Sequence, residues 1–371
     1  MNSQHNLLAL AESYLRESVA PIAARLDADQ NALQNAFKEL GARGLLGLRV
    51  PEKWGGAGVS ACVNSAFQEM VARYSGALAF LQTQHQSAAL MITNSDSSAL
   101  KQEYLPHLAT GKRCLGVGFS QLRRPGKPLL NALPTESGFL LNGEVPWVTG
   151  FGCFKEFIAA ATLPDGQAVF GIVPFFNTIQ ESGGEIVFSQ PLQLIAMTST
   201  NTVTAHLSNW FLPKQRVVFI KQAGWIQEND KKNVLNPAFF ALGCARAGLD
   251  IVEAAAKNKP FSFICETFEA LNRELKDCRA RCYNLLDNNS YSFAEKLQLR
   301  AWAIELAVRC AHAAITVSSG AANYQYHAAG RVYREALVFT VSAQTSEVMA
   351  ATLKRLIHSV ENSIPHVTFR L

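Results

Sequence analysis

The chain has 371 residues, of which 49% are hydrophobic and 17% charged, and its formal net charge is +5. The length is too great for one ordinary core, and the composition is that of a folded chain rather than a disordered one. The modest charge excludes no ligand class but argues against nucleic-acid binding, and eight cysteines without a Cys-x-x-Cys pair argue against a zinc site.

The first part of the chain is predicted to be helical. Apolar residues recur at helical spacing in five segments: 7–26, 33–46, 61–74, 77–93 and 98–108. Pro51 and the glycines between 55 and 58 interrupt the pattern, because glycine and proline cost roughly 1 to 3 kcal/mol inside a helix. We expect an N-terminal helical domain over residues 1–112, with no secretory signal and no membrane-spanning segment.

The pattern changes near Arg113 to short apolar runs separated by glycine, proline, asparagine and aspartate. The runs lie at 115–119, 138–143, 157–161, 168–174, 184–188 and 202–207. Asp165-Gly166 stands between two of them and is typical of a hairpin turn. We expect a middle β domain over residues 113–222, built as an antiparallel barrel or sandwich.

Long helical patterns return in the last part of the chain. They cover 237–256, 261–287, 292–319 and 331–357. These four stretches predict a C-terminal four-helix bundle over residues 223–371. The chain is therefore expected to be an α+β multidomain protein, and its cysteine usage favours a reducing compartment, which we take to be the cytoplasm.

Five landmarks occur in an order that resembles the acyl-CoA dehydrogenase superfamily. They are Gly44 to Gly58, Tyr104 to Gly111, Asn142 to Thr149, Ala196 to Pro213 and Arg331 to Ala336. No single landmark is specific, but together they span nearly the whole chain. The resemblance implies a helical–β–helical fold, a flavin cofactor, and assembly as a homodimer or homotetramer through the C-terminal helices.

The resemblance also implies which residues hold the flavin. Trp147 would pack against the flat ring, with Val148 beside it and Thr149 near the flavin N5 atom, while Phe119 and Ser120 would line the pyrimidine side. The alternative for Trp147 and Thr149 is an ordinary core tryptophan followed by a turn threonine.

Two further positions complete the implied cofactor set. Thr345 follows the position of the usual base, and Gly320 alone remains of the family's Gln-x-x-Gly-Gly run, which a neighbouring subunit supplies. The resemblance favours FAD. Because this recognition set is truncated, FMN or a transiently bound reduced flavin stays open.

The usual catalytic base is missing from the sequence. Ser342-Ala343-Gln344-Thr345 stands where the family's dehydrogenases have Tyr-Glu-Gly-Thr, and Ala343 cannot accept a proton. Glu347 lies about one helical turn further on. His85 is another candidate, since flavin monooxygenases of this fold often use a histidine there, but a buried helix histidine without a catalytic role is the commoner case.

The implied substrate contacts also depart from the family. Asn236 is the last residue of the run Asn233 to Asn236, which replaces the family's Asp-x-x-Arg just before Pro237. Arg123 and Arg124 stand in the loop that replaces the family's Thr-Glu-Pro-Gly-x-Gly-Ser-Asp run, where they could meet a phosphate. Exposed loop arginines are the commoner alternative.

Three functions remain open at this point. The first is a flavin-dependent oxidoreductase acting on the CH–CH group of an acyl thioester or related small substrate, with an electron-transfer protein or oxygen as acceptor. The second is a flavin-dependent monooxygenase or oxidase on the same fold. The third is a catalytically silent flavin-binding or partner protein. We expect no metal, nucleic-acid or membrane partner.

Overall fold

The computed structural model describes residues 2–259, 261–287 and 291–357. The N-terminal part contains six α-helices in these ranges: α1 (Asn2–Tyr14), α2 (Ala23–Ala28), α3 (Gln30–Ala42), α4 (Ala61–Tyr74), α5 (Gly76–Thr93) and α6 (Ser98–Ala109). The helix predicted over 7–26 is interrupted, because a π-helical turn at Leu15–Val19 and a 3-10 turn at Ala20–Ile22 join α1 to α2. Pro21 lies in the 3-10 turn, where it needs no helical donor.

Polar side chains set where these helices begin. The Asp29 carboxylate accepts hydrogen bonds from the backbone of Asn31 and Ala32 at the start of α3. Ser60, Ser75 and Ser97 each accept one at the starts of α4, α5 and α6. Each cap satisfies a backbone donor that has no partner inside its helix.

The middle part forms a single nine-stranded sheet within the described residues. Its strands are β1 (Leu115–Gly118), β2 (Leu130–Pro134), β3 (Gly138–Val148), β4 (Glu156–Thr162), β5 (Ala168–Pro174), β6 (Thr178–Ile179), β7 (Glu185–Phe188), β8 (Val203–Pro213) and β9 (Val217–Lys221). The order is β6-β7-β8-β3-β2-β4-β5-β9, with β1 paired to β4.

The sheet is mostly but not wholly antiparallel. β1 pairs with β4 in parallel, with Leu115 opposite Glu156, and β2 meets β4 in parallel at Asn131. The expected purely antiparallel pairing is wrong at these two places, since the run 115–119 carries no information about strand direction. The hairpin expected at Asp165-Gly166 does join β4 to β5, with Gly166 at φ +85°.

The C-terminal part is helical again. Its helices are α7 (Trp225–Lys232), α8 (Ala238–Asn258), α9 (Ser262–Asp287), α10 (Phe293–Ser318), α11 (Ala328–Val341) and α12 (Ser346–Leu356). The helix expected over 331–357 is broken at residues 342–345, where Ala343 has φ +48°. The last residues of the expected bundle, 358–371, lie outside the described residues.

Helix α8 lies at the centre of the helical packing. A Cβ atom on Gly243 would lie 2.1 Å from the Glu69 carbonyl oxygen of α4, and one on Gly248 would lie 2.7 Å from the Cys310 carbonyl group of α10. Only glycine lets the backbones approach this closely. The helical–β–helical order predicted from the sequence is confirmed, while the domain boundaries after residues 112 and 222 remain our proposal.

Buried charges join the three parts. Asp27 accepts from the backbone N–H of Met197 at 2.6 Å and from Arg334 at 3.1 Å. Glu335 is fully buried, pairs with Arg331 at 2.7 Å and accepts from the N–H of Gly76 at 3.1 Å. Burial outweighs Arg331 and raises the pKa of Glu335. Among the described residues, no helix has both the length and the apolarity that crossing a membrane requires.

Candidate functional site

A cavity of about 530 Å³ lies where the three parts meet. Its helical wall comes from α4 and α5, and its β wall comes from the end of β1 and the end of β3. The start of α8 and the break between α11 and α12 close it on the C-terminal side. Its volume lies within the range of roughly 300 to 1,000 Å³ that is usual for small-molecule and cofactor sites.

The β wall brings together four of the residues predicted to hold a flavin. Phe119 and Ser120 follow β1, and Trp147 and Thr149 lie at the end of β3, and all four line the cavity. The Trp147 side chain is 47% exposed, which is unusual for an indole outside a binding surface. The Thr149 hydroxyl lies 3.0 Å from the Thr202 hydroxyl.

Val148, the fifth residue predicted to hold the flavin from the β wall, has a different position. Val148 is fully buried in the core, because successive side chains of a strand point to opposite faces. Its side chain therefore does not line the cavity, and a contact between Val148 and the cofactor stays a prediction.

The β wall fits the needs of a flavin ring. Such a ring has flat apolar faces and a polar edge, so it requires an aromatic or apolar surface and hydrogen-bonding groups nearby. Trp147 and Phe119 offer the surface. The Ser120 hydroxyl is buried in the cavity wall without a hydrogen-bond partner among the described residues, so a polar ligand edge would satisfy it.

The two other predicted cofactor residues lie outside this cavity. Gly320 is in an exposed turn after α10, with nothing within 4 Å of where its Cβ would be. The Thr345 hydroxyl accepts from the Val348 N–H and so caps α12. Thr345 lines a neighbouring cavity of about 470 Å³ together with Arg123 and Glu347.

The residues predicted to stand at the position of the usual base face the cavity. Ser342 and Ala343 both line it, and their carbonyl oxygens accept hydrogen bonds from Arg300 at 2.7 and 3.0 Å. Arg300 also donates to the Val234 carbonyl at 3.2 Å, and burial lowers its pKa to about 10. A buried guanidinium thus fixes the backbone at 342–343, and Glu347, which lines the neighbouring cavity, does not take the place of the missing base.

His85 does not reach the cavity, so its predicted catalytic role is wrong. The ring is fully buried: its Nε2 lies 3.1 Å from the Leu108 carbonyl oxygen, and its Nδ1 accepts from the Leu115 N–H at 3.4 Å. Phe37 packs edge-on against it. Burial lowers its pKa to about 4, so the ring is neutral at ordinary pH and joins α5 to α6 and β1.

The predicted substrate residues separate into three cases. Asn236 lines the cavity, and its amide donates to Asn233 at 3.0 Å. Arg123 lines it too, but its charge is balanced by a two-pronged pair with Asp230 at 2.7 and 2.8 Å. Arg124 is exposed and outside the cavity lining, as expected for the alternative of a loop arginine.

Sequence reasoning missed one cation of the site. Arg49 lines the cavity and is half-buried, and burial lowers its pKa. The sequence signal was a single charge in the apolar run from Leu45 to Val50. Of the described residues that line the cavity, none is an aspartate, a glutamate or a histidine.

Known proteins share both sequence and fold with this chain. Residues 1–112 match the family described as "Acyl-CoA dehydrogenase, N-terminal domain". The chain is 23% identical to the mitochondrial isovaleryl-CoA dehydrogenase of Oryza sativa subsp. japonica, over 95% of this chain and 91% of that protein. It is 22% identical to the 3-(aryl)acrylate reductase of Clostridium sporogenes, over 93% of this chain and 96% of the other.

Among solved structures, the chain resembles butyryl-CoA dehydrogenase from Megasphaera elsdenii. The TM-score is 0.80 at 17% identity, with 96% of this chain and 99% of the other covered. A glutaryl-coenzyme A dehydrogenase bound to glutaryl-CoA gives 0.79 at 19% identity, covering 96% and 95% of the two chains. At such identities these likenesses concern the fold.

Fold and cavity together define a helical–β–helical protein with a small-molecule site at the junction of its three parts. The match of residues 1–112 and the relatives over nearly the full length say which proteins the chain is similar to. Residues 1–112 carry an acyl-CoA dehydrogenase N-terminal domain, and the whole chain resembles acyl-CoA dehydrogenases in sequence and in fold.

Proposed function

We propose that the protein is a flavin-dependent oxidoreductase that acts on the CH–CH group of an acyl thioester or a related small substrate. The observation that carries this proposal is one cavity in which Phe119, Ser120, Trp147 and Thr149 face the break at Ala343. FAD is the proposed cofactor, with FMN or a reduced flavin as the alternative. The chemistry that a bound flavin supplies is two-electron hydride transfer.

The protein's own residues would bind and orient in this reaction. Trp147 and Phe119 would hold the flat ring, and the hydroxyls of Ser120 and Thr149 would hydrogen-bond to its polar edge. Asn236 lies just before the start of α8, where its side-chain amide would donate a hydrogen bond to a substrate carbonyl. Helices α4 and α5 cover the substrate side and exclude water, which strengthens every polar contact inside.

A second function is favoured by a specific observation: the described lining contains no carboxylate and no imidazole. A positioned general base contributes about 100- to 10,000-fold to a proton transfer, so its loss would leave a flavin-binding protein with little dehydrogenase activity. The monooxygenase or oxidase alternative depended on His85, and no residue of the cavity now favours it specifically.

The substitution Ala343→Glu separates the two candidates. A carboxylate at this position would face the cavity, with the Arg300 guanidinium close enough to keep it ionised. We expect anaerobic bleaching of the bound flavin by saturated acyl-CoA thioesters to become about 100-fold faster or more. Ala343→Gln is the matched control, since it has the same size but accepts no proton.

The wild-type result assigns the function. Bleaching of the wild-type flavin by an acyl-CoA supports the oxidoreductase. A flavin that bleaches only in Ala343→Glu supports the silent flavin-binding protein. Failure of both proteins to bleach, with acyl-CoA bound, contradicts the proposed reaction.

The assembly and acceptor are also proposals. Leu337 and Val341 of α11 and Met349, Leu353 and Leu356 of α12 are 40 to 58% exposed, which suits a homodimer or homotetramer formed through these helices. Light scattering measures the mass of the assembly in solution. Leu353→Glu should lower this mass, because it places a charge in the proposed interface. We further propose an electron-transfer protein or oxygen as acceptor, and a cytoplasmic location.

A further inference from the structure

Arg49 is the one lining residue whose charge has no counterpart in the described part of the chain. It forms no hydrogen bond or ion pair there, and burial alone shifts its pKa. Its neighbours in sequence, Leu48 and Val50, are fully buried, so the chain around it is fixed. A half-buried guanidinium is costly unless something satisfies it, and proteins keep such groups where a ligand does so.

The rest of the cavity leaves this charge unbalanced. Arg123 is neutralised by Asp230, and the described lining holds no carboxylate. Arg300 lies directly behind Ser342 and Ala343, and its described hydrogen-bond acceptors are carbonyl oxygens only. The interior therefore has a positive potential that favours an anion.

The helical wall beside Arg49 carries polar side chains, with which an alkyl chain would form no hydrogen bonds. Gln86 is 5% exposed, its amide nitrogen donates to the Leu45 carbonyl at 3.0 Å, and its buried amide oxygen has no described partner. The buried amide oxygen of Asn64 has no described partner either. Both residues line the cavity, so the wall around Arg49 contains amide side chains beside the guanidinium.

We infer that the cavity takes a small acyl substrate whose far end carries a carboxylate, and that Arg49 pairs with that carboxylate. The inference rests on the proposed function for the acyl thioester, whereas the anion site rests on Arg49 and its wall. A guanidinium binds a carboxylate through two parallel hydrogen bonds, which an amide or a hydroxyl does not reproduce.

The test compares two thioesters with five acyl carbons each, glutaryl-CoA and pentanoyl-CoA, by calorimetric titration of the flavin-loaded protein. They differ only in a terminal carboxylate against a methyl group. We expect glutaryl-CoA to bind about 10- to 100-fold more tightly, from the usual strength of a charge-assisted hydrogen bond. Arg49→Gln should abolish this difference by weakening glutaryl-CoA alone.

Lys53→Gln is the matched control, because Lys53 is an exposed cation in the same loop and the variant has the same net charge. Titration with free CoA tests whether Arg49 binds a phosphate of CoA or the carboxylate of the acyl group. If Arg49→Gln weakens free CoA and pentanoyl-CoA as much as glutaryl-CoA, the residue binds a CoA phosphate and the inference is wrong. Equal affinity of the wild type for both thioesters also overturns it.

Two more measurements keep this result separate from the proposed function. If neither thioester binds but free glutarate binds in an Arg49-dependent way, the acyl-thioester function fails and the carboxylate site stands. If glutarate does not bind either, both fail. Without ligand, Arg49→Gln should melt no lower than the wild type, since no protein group loses a partner; a fall of several degrees would show a structural role and contradict the inference.

Discussion

At the scale of single residues, sequence and structure agree where a backbone pattern fixes a position and differ where burial decides the role. The family resemblance predicted Trp147 and Thr149 at one site, and both residues do line one cavity. His85 occupied the expected place on α5, but its ring points into the core. Helical spacing from Gln84 to Ser87 does not show which of these side chains faces the cavity, because that depends on how α5 packs against β1.

The buried histidine gives a pH-dependent stability. Burial lowers the folded pKa of His85 from 6.5 to about 4, so between these values the unfolded chain takes up a proton that the folded protein does not. The contribution of neutral His85 to the free energy of unfolding is fully present above pH 6.5 and is lost as the pH falls toward 4. The loss amounts to about 3 kcal/mol of unfolding free energy.

Urea unfolding at a series of pH values measures this loss. His85→Gln should be less stable at pH 7, because it fills the site imperfectly, but should lose less stability between pH 6.5 and 4. The difference in slope between the two proteins isolates His85 from the carboxylates that titrate in the same range. Parallel pH profiles would contradict the assigned role.

At the scale of elements, the predicted helices and strands were found where turn residues bound them, and were missed where a regular pattern hides a break. β3 continues past residue 143 to Val148 because Pro146 lies in an irregular part of the β3–β8 pairing, between Val145 and Val148, where no ladder donor is needed. The break between α11 and α12 was hidden because apolar residues on both sides keep helical spacing, while the Arg300 guanidinium that fixes it comes from a distant helix.

The close packing of α8 on α4 predicts the effect of a single methyl group. Gly243→Ala would place a Cβ 2.1 Å from the Glu69 carbonyl oxygen, so the two helices would have to separate. We expect a loss of about 1 to 3 kcal/mol in the free energy of unfolding, despite the better helix propensity of alanine. Urea denaturation at pH 7 measures it.

The control for this variant is another helical glycine. A Cβ at Gly330 of α11 would come no closer than 3.4 Å to its nearest neighbour, so Gly330→Ala should be neutral or slightly stabilising. If Gly243→Ala is as stable as Gly330→Ala, the close approach of α8 and α4 is wrong.

At the scale of the whole molecule, the site exists only because three parts of the chain meet. Asp27 connects Met197 of the β part to Arg334 of α11, and Glu335 connects α11 to the start of α5. These bonds hold the helical wall, the β wall and the break at 342–345 around one cavity. The order of the parts was predictable from periodicity, but their meeting point was not, because its contacts join residues far apart in sequence.

The central claim is that a flavin ring lies in this cavity against Trp147. The most direct measurement is the absorbance and mass of the cofactor released from the purified protein, followed by titration of the apoprotein with FAD and FMN. We expect a flavin spectrum, with an affinity about 3- to 10-fold weaker in Trp147→Ala, from the usual value of aromatic stacking. The affinity should be unchanged in the control Trp302→Phe, because the Trp302 indole bonds to Glu274 of α9 and does not line the cavity. A colourless protein that binds neither flavin in either redox state, or one whose flavin affinity is the same in Trp147→Ala, would contradict the account.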